Sequence, residues 1–251
     1  MIRVDEKYLN LTATLCKEVK DASYEVSEIT IENDFEWNIL EIGCGMGVDV
    51  LKMASMLPKS VVLGIDFDKK IIESSKKKLI KSGLNNASFL HKDIYELEDK
   101  EVYEFIRIER VLQHLPNIYK AFDVISKALK PSGRLTLVDT NWSKLECAVF
   151  SDRANQLVQE IYTEQLINKI NREFLEEQFL RVGINDITTK LINVGLSKND
   201  YLNASCFQDL IVPKLSPTLA QEMLYNLNQL KKMDRCGRIE MIVITGTKSK
   251  R

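Results

Sequence analysis

Between residues 38 and 139, short apolar runs alternate with stretches in which apolar side chains recur every three or four positions. The first pattern is that of a strand covered on both faces, and the second paints one face of a helix. Strands are predicted at 39–42, 61–65, 88–91, 105–109 and 134–138. Between them, Val50, Leu51, Ala54 and Leu57 predict a helix over 48–57 closed by Pro58, and Ile71, Ile72, Leu79 and Ile80 predict another with Gly83 as its C-cap. A third helix is predicted over 117–129, ended by the turn KPSG at 130–133. Such alternation is the rhythm of a parallel sheet with helices on both faces.

After Asp139 the rhythm changes. Residues 151–170 read as one or two helices with no strand between, long enough to be a lid rather than a crossover. Their apolar positions Leu157, Val158, Ile161, Leu166, Ile167 and Ile170 exceed what a free surface helix needs, so part of that face is expected to be buried. It either covers a pocket, together with helical stretches within 198–232, or packs on the sheet edge. A helix over 171–181, a strand over 187–194 and a last strand over 239–245 complete the pattern. The 251 residues are expected to form a single domain, without internal repeats or a low-complexity linker.

Charge changes the picture little: 35 Lys and Arg against 36 Asp and Glu leave a net charge of -1, which disfavours nucleic acid and anionic membranes as partners. The N-terminal segment interrupts its apolar residues with charges, unlike a secretory signal or membrane anchor, so a cytoplasmic protein is expected. The five cysteines, Cys16, Cys44, Cys147, Cys206 and Cys236, are scattered and contain no CxxC pair, as in a reducing compartment. With only His91 and His114 as histidines, no metal site is expected.

The sharpest motif is ILEIGCGMG, where an apolar strand runs into Gly43, Gly45 and Gly47 and then into a helix. Glycines permit the tight turn and let a ligand approach the backbone, and the helix start offers free N–H groups. The dinucleotide fingerprint is not met, since valine takes the place of its third glycine. The next strand ends in VVLGIDFD, where Asp66 stands at the terminus able to accept both hydroxyls of a ribose. The alternative is an N-cap for the following helix, a role that Asp68 fits better. Asp93, past the third strand in FLHKDI, can face the same crevice or be an ordinary loop carboxylate.

In LEIGCGMG, GIDFD, KDI, RVLQHLPN and ALKPSGRLTLVDT, taken in this order, the segment from about 37 to 140 resembles a class I, Rossmann-like S-adenosylmethionine-dependent methyltransferase of the UbiE-like, small-molecule type. The resemblance implies an α/β fold with a seven-stranded, mostly parallel sheet of order 3-2-1-4-5-7-6, its last strand antiparallel. It implies a cofactor, S-adenosyl-L-methionine, lying against Gly43, Cys44, Gly45 and Gly47, with its ribose on Asp66. Phe67 packs on the adenine, Asp93 accepts its amino group, the Ile94 N–H meets a ring nitrogen, and the Arg110 backbone faces the methionine amino group. Residues 1–140 then hold an N-terminal helix and the cofactor-binding half, and 141–251 the lid and acceptor-side half.

Methyl transfer is an in-line displacement that positioning and desolvation largely drive. A base helps only with some acceptors. His114 and Asp139 are the candidate catalytic residues, because a histidine and an acid near these places take part in deprotonation in some relatives. Here the histidine position is Gln113, which cannot act as a base, and His114 one residue on is as well suited to a structural hydrogen bond. Trp142 reads equally as pocket wall or lid anchor. Arg107 inside the fourth strand is unusual, and its guanidinium is expected to pair with Glu41 or Glu109. The acceptor implied is a small organic molecule methylated at O, N or C. The rivals are an NAD-dependent oxidoreductase, a methyltransferase on protein or tRNA, and a non-catalytic cofactor-binding member of the fold.

Overall fold

A computed structural model describes residues 17–29, 34–204 and 207–250 of the chain. Cys16, Cys206 and most of the N-terminal segment discussed above lie outside the described residues. A helix α1 (Lys17–Val26) leads into β1 (Asn38–Ile42), α2 (Val48–Met56), β2 (Val61–Asp66), α3 (Lys69–Ser82) and β3 (Ala87–His91). The chain continues through β4 (Tyr103–Glu109), α4 (Ile118–Ala128), β5 (Leu129–Cys147), α5 (Asp152–Thr163) and α6 (Arg172–Arg181). It ends in β6 (Ile184–Ser197), α7 (Lys198–Ala204), α8 (Pro217–Asn228) and β7 (Arg235–Lys248).

The seven strands form one sheet in the order β3-β2-β1-β4-β5-β7-β6, parallel except for β7, which runs antiparallel to both its neighbours. Its order thus matches the one implied by the resemblance. The apolar runs of β1 and β4 serve both faces. Leu40, Ile42, Ile106 and Ile108 pack with Phe122 and Ile125 of α4 and Phe179 of α6, whereas Ile39 and Phe105 pack with Val50 and Met53 of α2 and Tyr24 of α1. A separate cluster joins Val138 and Trp142 of β5 to Val158 and Tyr162 of α5, Tyr201 of α7 and Met241 and Val243 of β7.

Local chemistry sets the helix ends. Asp68 caps α3, its carboxylate accepting from the Lys70 and Ile71 N–H groups, and Gly83 closes that helix in the left-handed conformation. Asn117, Ser151, Asn171 and Ser216 cap α4, α5, α6 and α8 in the same way.

Three sequence expectations need correction. The fifth strand does not stop at 138: it runs to Cys147, and Asp139 lies inside it opposite Ile242 because Thr140, Trp142 and Leu145 continue the ladder and the core with β7. The predicted turn at 130–133 is absorbed into the irregular start of this strand, where Ser132 keeps a turn-like φ of 63°. Helix also does not persist to residue 170. It ends at Thr163, and the following residues form turns that tie back to the sheet. Among the described residues no helix is long and apolar enough to cross a membrane, and no group of three or more His, Cys, Asp or Glu is arranged to hold a metal ion.

Candidate functional site

The carboxyl ends of β1, β2 and β4 surround the glycine turn. Gly43, Gly45 and Gly47 all have positive φ, at 67°, 51° and 74°. Their surroundings differ in a way that decides what each is for. A Cβ at Gly43 would stand 2.2 Å from Val111, and one at Gly47 would enter the Phe89 ring, so these two are fixed by packing. A Cβ at Gly45 would meet nothing within 4 Å, so Gly45 presents bare backbone to open space. The turn is held from behind: the Ser75 hydroxyl donates to the Gly45 carbonyl at 2.9 Å, and the Cys44 N–H donates to Ile65 at 2.9 Å.

Asp66, only 7% exposed, accepts from the Gly45 N–H at 3.0 Å through one oxygen and from the Asp68 N–H at 2.9 Å through the other. Burial raises its carboxyl against the pull of these N–H groups. Each oxygen keeps a further lone pair, so the group both shapes the turn and remains an acceptor. Phe67, next along, is 77% exposed, its carbonyl 2.9 Å from a ring nitrogen of His91. Asp93 is also exposed and accepts from the Tyr95 N–H at 2.9 Å, capping the short turn Ile94–Glu96, whose Ile94 side chain is buried. Cys44 is turned into the core against Val50 and Gly64, and burial pushes its thiol far above the usual range. Only its backbone is left to line the turn.

Beyond β4, Arg110 takes a positive φ of 54°, rare for a side chain this large, while its N–H donates to Val138 at 2.7 Å. Under it lies an ion cluster that the sequence shows only in part. Arg107, 1% exposed, meets Glu41 at 2.7 Å and Glu109 at 2.5 Å, with Asp49 at 3.7 Å. Both expected partners are thus engaged. Helix α1 adds Lys20, which pairs with Asp49 and lies 3.3 Å from Glu109, and Tyr24, whose hydroxyl donates to Asp49 at 2.8 Å. Burial pushes Glu41 up to about 8 despite Arg107. Asp49 and Glu109 are also raised by burial alone, but the adjacent cations prevail and hold both low. A signal for Asp49 existed: it is the one carboxylate in the otherwise apolar first turns of VDVLKMASM.

On the opposite side of the turn after β4, Asp139 is 1% exposed; one oxygen accepts from the Thr140 N–H at 2.8 Å and the other makes no hydrogen bond. Burial pushes its carboxyl up to about 7, opposed by the Thr140 N–H, Arg110 and the backbone of Gln113 and Leu112. His114 points outward and is exposed, held below its ordinary value by partial burial and by Arg110. Gln113 is buried, its Oε1 accepting from the Trp142 indole at 2.7 Å, and Trp142 stacks on Tyr162 of α5 with centroids 4.0 Å apart. Trp142 is therefore an anchor joining α5 to this turn. Asn168, which sequence reasoning missed, donates to the Leu112 and Leu115 carbonyls at 2.8 and 2.7 Å and fixes the segment after α5 to the same turn. In the segment predicted as a lid, Val158 and Ile170 are buried, Val158 in the cluster that α5 forms with β5 and β7, but Ile167 is 51% exposed.

Residues 34–211 match the family described as methyltransferase domain. A demethylmenaquinone methyltransferase of Listeria monocytogenes is 26% identical over 106 residues, 41% of this chain and 45% of that protein. A malonyl-[acyl-carrier protein] O-methyltransferase of Ilyobacter polytropus is 32% identical over 106 residues, 42% and 40% of the two chains. The chain thus spans less than half the length of these curated relatives. Among solved structures, a Haemonchus contortus phosphoethanolamine N-methyltransferase in complex with S-adenosyl-L-methionine superposes with a TM-score of 0.60 at 16% identity, over 92% of this chain and 53% of that one.

Proposed function

We propose that this chain, which belongs to the methyltransferase domain family, is an S-adenosylmethionine-dependent methyltransferase whose acceptor is a small organic molecule, methylated at O, N or C. The observation that carries the site reading is the bare, open face of Gly45 beside Asp66, the room a ligand needs to reach backbone in a strand-to-helix turn. Asp66 accepts from the ribose, the exposed Phe67 ring covers the adenine, Asp93 and the Ile94 N–H read its edge, and the Arg110 backbone meets the amino-acid end.

When bound, the cofactor supplies a methyl group already activated as a sulfonium. The chain's own task is to align the acceptor and exclude water. The overhang of β5 packs Trp142 against Tyr162 of α5, and in this reading that buried apolar cluster backs the acceptor side of the turn. Asp139 is the group able to take up a proton near neutral pH, and His114 is second, being exposed. A small acceptor agrees with the substrate that the Haemonchus enzyme's name carries and with the balanced charge of this chain.

The test is a screen of hydroxylated and aminated metabolites, with tRNA and protein as controls, for conversion of S-adenosylmethionine to S-adenosylhomocysteine. Turnover on small molecules is the expected result. Turnover confined to tRNA or protein would transfer the reading to the macromolecular rival, and cofactor binding without turnover on any acceptor would favour a non-catalytic role.

A further inference from the structure

At the turn after β4, Gln113 has a side chain whose direction its surroundings fix and whose donor they leave unspent. The residue is 3% exposed and its backbone is tied down: the carbonyl receives the Asn168 N–H at 3.4 Å, and the Asp139 carboxyl lies against its N–H. Oε1 accepts from the Trp142 indole at 2.7 Å. An indole N–H only donates, so the amide oxygen must face Trp142 and the amide nitrogen must point the other way. Trp142 is itself held by its stack on Tyr162, which keeps the amide from turning round. Nε2 donates to no described residue, and unlike the second oxygen of Asp139 it is not sealed from solvent. It is a donor of fixed direction that a ligand can reach.

What such a donor selects follows from counting lone pairs. Methyl transfer consumes one lone pair of the atom that is methylated. A neutral amine nitrogen has a single pair, and a hydrogen bond from Gln113 would occupy it and block the attack. A hydroxyl oxygen has two, so it can accept from Nε2 with one and attack with the other. Its own proton needs an acceptor, and the Asp139 carboxyl stands beside Gln113 on the same turn.

We propose that Gln113 selects an oxygen nucleophile, its Nε2 donating to the hydroxyl of a small acceptor that is methylated on that oxygen. The proposal rests on the small-molecule reading above and narrows its O, N or C to O. The acceptor oxygen forms the new O–C bond as the S–C bond breaks, the electron pair of that bond staying on sulfur, and the hydroxyl proton passes to the Asp139 carboxylate. A Gln113 that merely holds Trp142 through Oε1 would ask nothing of Nε2.

Two measurements on the full chain test it. In the first, the wild type with S-adenosylmethionine is given phenols and aliphatic alcohols, each paired with the amine of the same skeleton. Turnover on the hydroxyl members is expected to exceed that on their amine counterparts at least about tenfold. Preference for the amines, or a product methylated on nitrogen or carbon, would overturn the proposal, whereas no turnover on any member would overturn the small-molecule reading beneath it. The second measurement is of binding alone: calorimetry of the preferred hydroxyl compound, and of its analogue lacking the hydroxyl, on protein saturated with S-adenosylhomocysteine. Gln113→Met keeps the volume and removes the amide, so it should bind the hydroxyl compound about three- to tenfold more weakly and the analogue within about twofold of the wild type. Equal losses for both, or none for either, would sink the role of Gln113. If Gln113→Met fails to fold, the paired panel on the wild type still decides.

Discussion

Two glycines in the left-handed conformation separate what a backbone needs from what a ligand needs. Gly45 and Gly83 both have positive φ and both face open space, so replacement by alanine costs each of them only the strain of that φ, about 1 kcal/mol. Gly83 merely ends α3, but Gly45 lies in the turn beside Asp66. Gly45→Ala and Gly83→Ala should therefore lose similar stability by denaturant titration, while only Gly45→Ala loses affinity for S-adenosylhomocysteine. Parallel behaviour in both measurements would remove Gly45 from the site. Asp139 makes a second residue-scale case. Its folded carboxyl is raised to about 7 by burial, against about 3.9 in an unfolded chain. Between these values the folded state binds more protons, so the contribution of Asp139 to stability falls as pH rises through the window and levels off above about 7. Asp139→Asn should erase that loss, with up to ~4 kcal/mol separating variant and wild type at pH 8 and little below pH 4. A difference between them that does not vary with pH would mean that Asp139 is ionised throughout.

At the scale of elements, the turn after β4 is held by groups from three others: Val138 of β5 receives the Arg110 N–H, Trp142 reaches Gln113, and Asn168 gathers two carbonyls. Trp142→Ala removes both a buried ring and the donor to a buried amide oxygen, and should cost about 3–5 kcal/mol, whereas Trp142→Phe should cost about 1–3 kcal/mol, the hydrogen bond alone. Denaturant unfolding of the two variants checks the order; equal losses would show that the bond to Gln113, not the ring, fixes the turn. The parallel strands, the glycine turn and the Asp68 cap were legible in the sequence because period, glycine spacing and capping chemistry are local. The extension of β5 was not, since the apolar pattern changes after Asp139 and only β7, a hundred positions on in the chain, supplies the ladder partners of Asp139 and Asn141. Lys20 and Tyr24 escaped for the same reason. Pairing across such a distance leaves no periodic trace, and only the out-of-place Arg107 and Asp49 betrayed that something polar lay beneath the turn.

For the whole molecule, the sheet joins three apolar clusters, and the candidate site lies around the glycine turn at the carboxyl ends of β1, β2 and β4. A ligand bound there touches elements that come together only in the folded state, so its binding must appear as global stability. At a hundred times its dissociation constant, S-adenosylhomocysteine should add about 2.7 kcal/mol and raise the melting temperature, in proportion to the logarithm of its concentration. NAD at the same concentrations should add nothing, because valine occupies the third glycine position of the turn. Asp66→Ala weakens the ribose contact by about 1–3 kcal/mol and should shift the stabilisation curve to about ten- to hundredfold higher ligand concentration. Thermal scans of wild type and Asp66→Ala across a ligand series measure all three effects together. Stabilisation by NAD, or a curve that Asp66→Ala leaves unmoved in a folded protein, would mean that the ligand enters elsewhere on the sheet.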